Sequence, residues 1–152
     1  MVSIRSEKKH MYGQKRVLHL DDDPAFLKLA SIILRKASIQ SVGLTNPRPV
    51  NRMLQENGLR VVLLDIDLPD VHGLTVLRNI KAMDAGIQVI MCTADVNMDV
   101  LRRAVEYGAE DVLFKPRLTP TMLIESVEHA LGKVDRLLGT IAWLEQFHVV
   151  SQ

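Results

Sequence analysis

The chain has 152 residues, of which 47% are hydrophobic and 24% charged, and a formal net charge of +1 at neutral pH. That length and apolar content suit one domain with a good-sized core and argue against a disordered chain. The near-zero charge removes any global electrostatic case for binding nucleic acid or an anionic membrane surface.

Basic residues gather at the start (Arg5, Lys8, Lys9, Lys15, Arg16) and read as a solvated lead-in over residues 1–15. Five short apolar runs follow, alternating with amphipathic segments. The predicted strands are Arg16 to Leu20, Ser41 to Leu44, Arg60 to Leu64, Gln88 to Cys92 and Asp111 to Phe114. Asp23-Pro24 opens the first predicted helix, with Asp as N-cap and Pro at the first helical position. A second, between Pro47 and Glu56, is closed by Asn57-Gly58; a third follows Gly73. The fourth spans about Asn97 to Tyr107 and the fifth starts at Thr119-Pro120. Strict βα alternation predicts an α/β fold, a doubly wound parallel sheet of five strands.

Beyond the fifth helix start, Val127, Val134 and Ile141 fall seven apart, as do Leu123, Ala130, Leu137 and Leu144. Together they form an a/d seam of the kind that pairs helices. Gly132 and Gly139 lie opposite this seam. Two readings follow: one long helix, or a break that leaves Lys133 to Phe147 as a separate element.

Cys92 is the only cysteine, which excludes an internal disulfide and suits a reducing cytoplasm. Its neighbours Val89, Ile90 and Met91 make it a buried strand residue rather than a nucleophile. No apolar stretch approaches the ~20 residues of a membrane helix, and the N-terminus lacks an apolar signal core, so a soluble intracellular protein is expected.

The chemistry gathers at the predicted strand ends. The run Val61 to Leu64 delivers Asp65, with Asp67 two residues on, before the turn at Pro69. The first strand delivers Asp21, Asp22 and Asp23, the fourth Thr93 and the fifth Lys115. In a parallel sheet these ends share one edge, where open α/β sheets bind ligands. A buried carboxylate needs a metal or a cationic partner, and clustered hard oxygen ligands suit Mg²⁺. A hydroxyl and an ammonium beside them suit a phosphoryl group, so the expected chemistry is metal-assisted phosphoryl transfer to a carboxylate.

Four motifs stand in order at these ends: Leu20-Asp21-Asp22-Asp23-Pro24, Leu64-Asp65-Ile66-Asp67-Leu68-Pro69, Thr93-Ala94 and Lys115-Pro116. In them the chain resembles the receiver domains of two-component response regulators, over roughly residues 16–131, with 132–152 a helical extension or linker. The resemblance implies a flavodoxin-like strand order 2-1-3-4-5 and a signalling switch rather than an enzyme. It implies Asp65 as phosphoacceptor from a phosphohistidine, on a sensor histidine kinase or a histidine phosphotransfer protein. Asp22 and Asp65 would ligate Mg²⁺ directly, Asp21 through water and Asp67 through its carbonyl. Thr93 and Lys115 would each hold a phosphoryl oxygen, with Lys115-Pro116 cis. The seam in the tail suggests a homodimer or a lead into an effector, in a chain that is either a stand-alone receiver or the front of a longer regulator.

Three positions depart from the family's pattern. Val112 stands where an aromatic usually reads out the switch, Arg117 where Phe is frequent, and His72-Gly73 where Asp-Gly is common. Asp67 and Asp95 occupy positions that, by resemblance, tune loss of the phosphoryl group. Two competing readings exist. One is a haloacid-dehalogenase-type phosphatase built on Asp65-Ile66-Asp67, which would need a later acidic motif where only Glu125 and Glu128 are available and would leave Asp21-Asp22 unexplained. The other is a degenerate receiver that serves only for docking.

Overall fold

Successive side chains of a strand point to opposite faces of a sheet, and here both faces are covered. The computed structural model describes residues 14–95 and 97–150, with side chains described as far as Phe147. Most of the expected lead-in, residues 1–13, lies outside the described residues. Strands β1 (Arg16–Leu20), β2 (Gln40–Leu44), β3 (Val61–Asp65), β4 (Gln88–Thr93) and β5 (Asp111–Phe114) form one parallel sheet in the order β2-β1-β3-β4-β5. This is the expected doubly wound order. Helices α1 (Pro24–Lys36), α2 (Val50–Asn57), α3 (Gly73–Met83), α4 (Met98–Glu106) and α5 (Pro120–Val150) make the crossovers and the C-terminal extension.

The core is two clusters separated by the sheet. On one face Val17, Leu63, Ile90 and Cys92 pack against Leu34 of α1 and Leu123 and Val127 of α5. On the other, Leu20, Leu64 and Met91 pack against α2, α3 and α4. Every residue of β3 is buried, as an unbroken apolar strand between two helical layers requires.

Cap chemistry sets the helix ends. Asp23 accepts from the Ala25 N–H at 3.0 Å with Pro24 behind it, and Asn97 accepts from the Asp99 and Val100 N–H groups. Gly58, at φ +62°, closes α2 in the left-handed region that favours glycine.

Two expectations are settled differently from their simplest form. Gly132 and Gly139 do not end the fifth helix, which runs unbroken for 31 residues. Added methyl groups there would meet only the Arg136 side chain at Gly132 and nothing at Gly139. Both glycines therefore face outward, where their cost of about 1 kcal/mol each leaves the packed seam intact. The Lys115-Pro116 bond is not cis: no cis peptide occurs among the described residues. Lys115–Arg117 instead forms a 3-10 turn closed by the Leu118 N–H on the Lys115 carbonyl. Proline's fixed φ and missing N–H fit such a turn in the intrinsically favoured trans form.

Candidate functional site

Strand register carries the site. Leu20 pairs with Leu64, Asp65 with Cys92 and Thr93 with Phe114, so the residues just beyond β1, β3, β4 and β5 share one edge. Asp21 and Asp65 are buried and Asp22 is exposed. One carboxylate oxygen from each of the three lies within 4.8 Å of the others. Lys115 Nζ donates to Asp21 Oδ2 at 2.7 Å and stands 3.5 Å from Asp65 Oδ1. The backbone also contributes, since the Asp23 N–H donates to Asp21 Oδ1 at 2.9 Å and the Asp67 N–H to Asp65 Oδ1 at 3.1 Å.

The electrostatics are unbalanced. Three carboxylates face one ammonium, and charges removed from water need compensation. Burial pushes the Asp65 carboxyl up to about 6. The Asp67 N–H and the Lys115 charge pull it down, while Asp21 and Asp22 push it further up. Burial works to lower the Lys115 ammonium, but its bond to Asp21 and the charge of Asp65 outweigh this and leave it raised. The site is thus short of positive charge, and its donors are hard oxygens with one exposed member, Asp22. That is the chemistry of a divalent oxygen-ligand site.

The other expected residues fall differently. Asp67 brings its N–H to Asp65, while its own side chain is exposed. Thr93 is buried, and its hydroxyl donates to the Asp95 carbonyl at 2.9 Å and accepts from the Asp95 N–H at 3.2 Å. Val112 is half-buried, and beside it a hollow of about 450 Å³ opens between α4 and β5, lined by Thr93, Leu101, Val105 and Phe114. Cys92 is fully buried and its thiol is pushed up to about 12 by that burial, which makes it a core residue. Glu125 and Glu128 are exposed on α5, and Glu128 lies 3.8 Å from Lys15, which precedes β1 at the opposite edge of the sheet. Glu128 is therefore on the wrong side for the acidic motif a phosphatase would need.

Three residues matter more than the sequence reading gave them. A Cβ on Gly73 would lie 2.3 Å from the Asp65 carbonyl oxygen and 2.6 Å from the Ile66 Cα. Only glycine lets α3 start that close to the strand that carries Asp65. His72 caps the same helix, accepting from the Leu74 N–H at 3.2 Å. Phe26, in the first turn of α1, is only half-buried and lies against Lys115, whose Nζ is 4.6 Å from the ring centroid. The signal for it was its place in the first turn of a helix that begins at the acidic edge.

Comparison with known proteins agrees with this geometry. Residues 17–128 match the response regulator receiver domain family. The chain is 30% identical over 120 residues to the DNA-binding response regulator MtrA of Mycolicibacterium smegmatis, covering 79% of this chain and 52% of that protein. It is 29% identical to the chemotaxis protein CheY of Thermotoga maritima, covering 80% of this chain and 98% of that one. Among solved structures, the signal receiver domain of a LuxO repressor protein from Vibrio parahaemolyticus superposes with a TM-score of 0.76 at 26% identity, over 84% of this chain and 97% of that one. The chain spans about half or less of the longer curated relatives it matches, and only 20% of one of them.

Proposed function

This chain belongs to the response regulator receiver family, and on that premise we propose that Asp65 is its phosphoacceptor. A carboxylate oxygen of Asp65 attacks the phosphorus of a phosphohistidine. The P–O bond forms as the P–N bond breaks, and the imidazole leaves with the electron pair. The convergence of Asp21, Asp22, Asp65 and Lys115 on one sheet edge supports this reading above all.

The carboxylate trio fits Mg²⁺, with Asp22 and Asp65 as direct ligands, Asp21 acting through water and Asp67 through its carbonyl. Bound there, the ion supplies the positive charge that the carboxylates and an incoming phosphoryl group lack. The chain's own groups do the rest. Lys115, now on Asp21 and Asp65, is within reach of a phosphoryl oxygen on Asp65. Thr93 holds another once its hydroxyl leaves Asp95, so the loop after β4 is the part that phosphorylation moves.

As a receiver the chain is a signalling domain, and we read its chemistry as its own phosphorylation and dephosphorylation rather than turnover of a substrate. The donor is a sensor histidine kinase or a histidine phosphotransfer protein. The near-neutral charge gives no basis for direct nucleic-acid binding by this segment, although some longer relatives are DNA-binding regulators. No described helix is long and apolar enough to cross a membrane, and a lone buried thiol suits the cytoplasm. The receiver unit is assigned to residues 16–131, with 132–152 as an extension that pairs with a second copy or leads to an effector. Leu137, Ile141 and Leu144 continue the core seam of α5 past the sheet and are 43%, 45% and 52% exposed.

Acetyl phosphate with Mg²⁺ tests the assignment. Wild type should gain an acid-stable, base-labile phosphoryl group and Asp65→Asn should not; turnover of phosphate monoesters would favour a phosphatase. For the tail, sedimentation and Trp143 fluorescence with and without beryllofluoride should both respond, and indifference of both would rule out coupling of the tail to the acceptor.

A further inference from the structure

Lys115 has three ammonium protons, and two directions are taken by the carboxylates of Asp21 and Asp65. The Phe26 ring lies on a further side, with its centroid 4.6 Å from Nζ, inside the range of a cation–π contact. Phe26 is itself held from below. Its ring meets the His19 imidazole edge-on, with centroids 5.4 Å apart and planes at 81°. His19 is 1% exposed, on the face of β1 that looks toward α1 and α5, and neither ring nitrogen has a hydrogen-bond partner.

A buried imidazole with no polar partner is expensive, and an aliphatic residue would fill a strand core without that cost. What the imidazole supplies here is a flat ring at the one place where Phe26 needs support. The contacts run from His19 to Phe26, from Phe26 to Lys115 and from Lys115 to the carboxylates.

The geometry points to Phe26, buttressed by His19, as the positioning residue for Lys115: an aromatic seat that fixes the ammonium at the acceptor carboxylate. This rests on the reading of Asp65 and Lys115 given above. The carboxylates of Asp21 and Asp65 hold the ammonium, but its flexible four-carbon stem leaves its direction adjustable unless another group packs against it. With the ring below it, Nζ keeps its direction while its oxygen partners change from carboxylate to phosphoryl. A quadrupole is required for this and bulk alone is not, so Tyr should serve at position 26 and Leu should not.

Two readouts test it. In metal-free protein, the ring current of Phe26 should shift the Lys115 ε-methylene protons upfield in wild type and in Phe26→Tyr, and leave them at ordinary values in Phe26→Leu. His19→Leu should weaken the shift without abolishing it. With acetyl phosphate and saturating Mg²⁺, the labelling rate should fall about five-fold in Phe26→Leu and return to within two-fold of wild type in Phe26→Tyr. The Mg²⁺ affinity, measured separately, should be the same in all three. An unshifted Lys115 signal in wild type would overturn the seat, as would equal rate losses in the Leu and Tyr variants. Absence of labelling in wild type would instead overturn the assignment of Asp65, and the proton shifts would still judge the seat.

Discussion

The acceptor edge and the outer half of α5 are opposite solutions to the same problem of exposure. At the edge, charges are buried: Asp21 and Asp65 are 0% and 3% exposed and share a single ammonium. On the tail, apolar groups are exposed: Trp143, Leu144 and Phe147 are each more than half accessible. Each departs from what stability alone would choose. The edge sets buried carboxylates against one ammonium, whereas the tail turns apolar side chains to water, as Leu29 on α1 and Met98 and Val105 on α4 also do.

The sharpest way to break this comparison is at Gly73. Gly73→Ala puts a methyl group against the Asp65 backbone, and overpacking against immovable backbone should cost about 3 kcal/mol. Urea unfolding measures it, and the same variant should label more slowly because the acceptor strand shifts. A loss under about 0.5 kcal/mol would mean that the start of α3 is free to move away.

Acid titration comes next. His19 is held down to about 4 by burial, so between pH 6.5 and 4 the unfolded chain binds a proton that the folded chain refuses. Its contribution is present above pH 6.5 and lost as pH falls, by up to about 3 kcal/mol. His19→Leu should flatten that limb of the stability curve.

Asp65 runs the other way. Its folded carboxyl is raised to about 6, so its stabilising contribution is full below pH 3.8 and lost as pH rises through 6. Asp65→Asn should therefore stabilise the metal-free protein at pH 7.5, by about 2 kcal/mol, and should abolish stabilisation by added Mg²⁺. A destabilised Asp65→Asn in chelator would mean that the buried charge is already compensated.

The smallest effect is expected on the tail. Leu144→Ser removes an exposed side chain and should change monomer stability by no more than about 0.5 kcal/mol, while lowering any self-association seen by sedimentation. If stability drops further, the outer helix is packed on the domain and the contrast drawn above fails.

Much of this was legible in the sequence because one physical rule fixed it. Unbroken apolar strands, cap-plus-proline signals and alternating elements leave few topologies, and a parallel sheet necessarily gathers its strand ends. Asp21, Asp22, Asp65 and Lys115 could be placed together before any coordinate was known. Whether Gly132 and Gly139 end a helix could not be decided, because a glycine opposite the seam is compatible with an outward position inside a helix and with a helix end alike. The Lys115-Pro116 isomer was misjudged because the trans form is accommodated by a short turn that the two residues alone do not announce. Gly73, Phe26 and His19 escaped for a common reason. Their importance lies in what they touch across the fold, and periodicity reports only which face a residue is on.

The central claim is that Asp65 carries the phosphoryl group. Labelling from a phosphohistidine donor in the presence of Mg²⁺, followed by borohydride reduction and peptide mapping, tests it most directly. The account predicts homoserine at position 65 in wild type and no modified residue in Asp65→Asn. Modification at another aspartate, or labelling that survives the substitution, would contradict it.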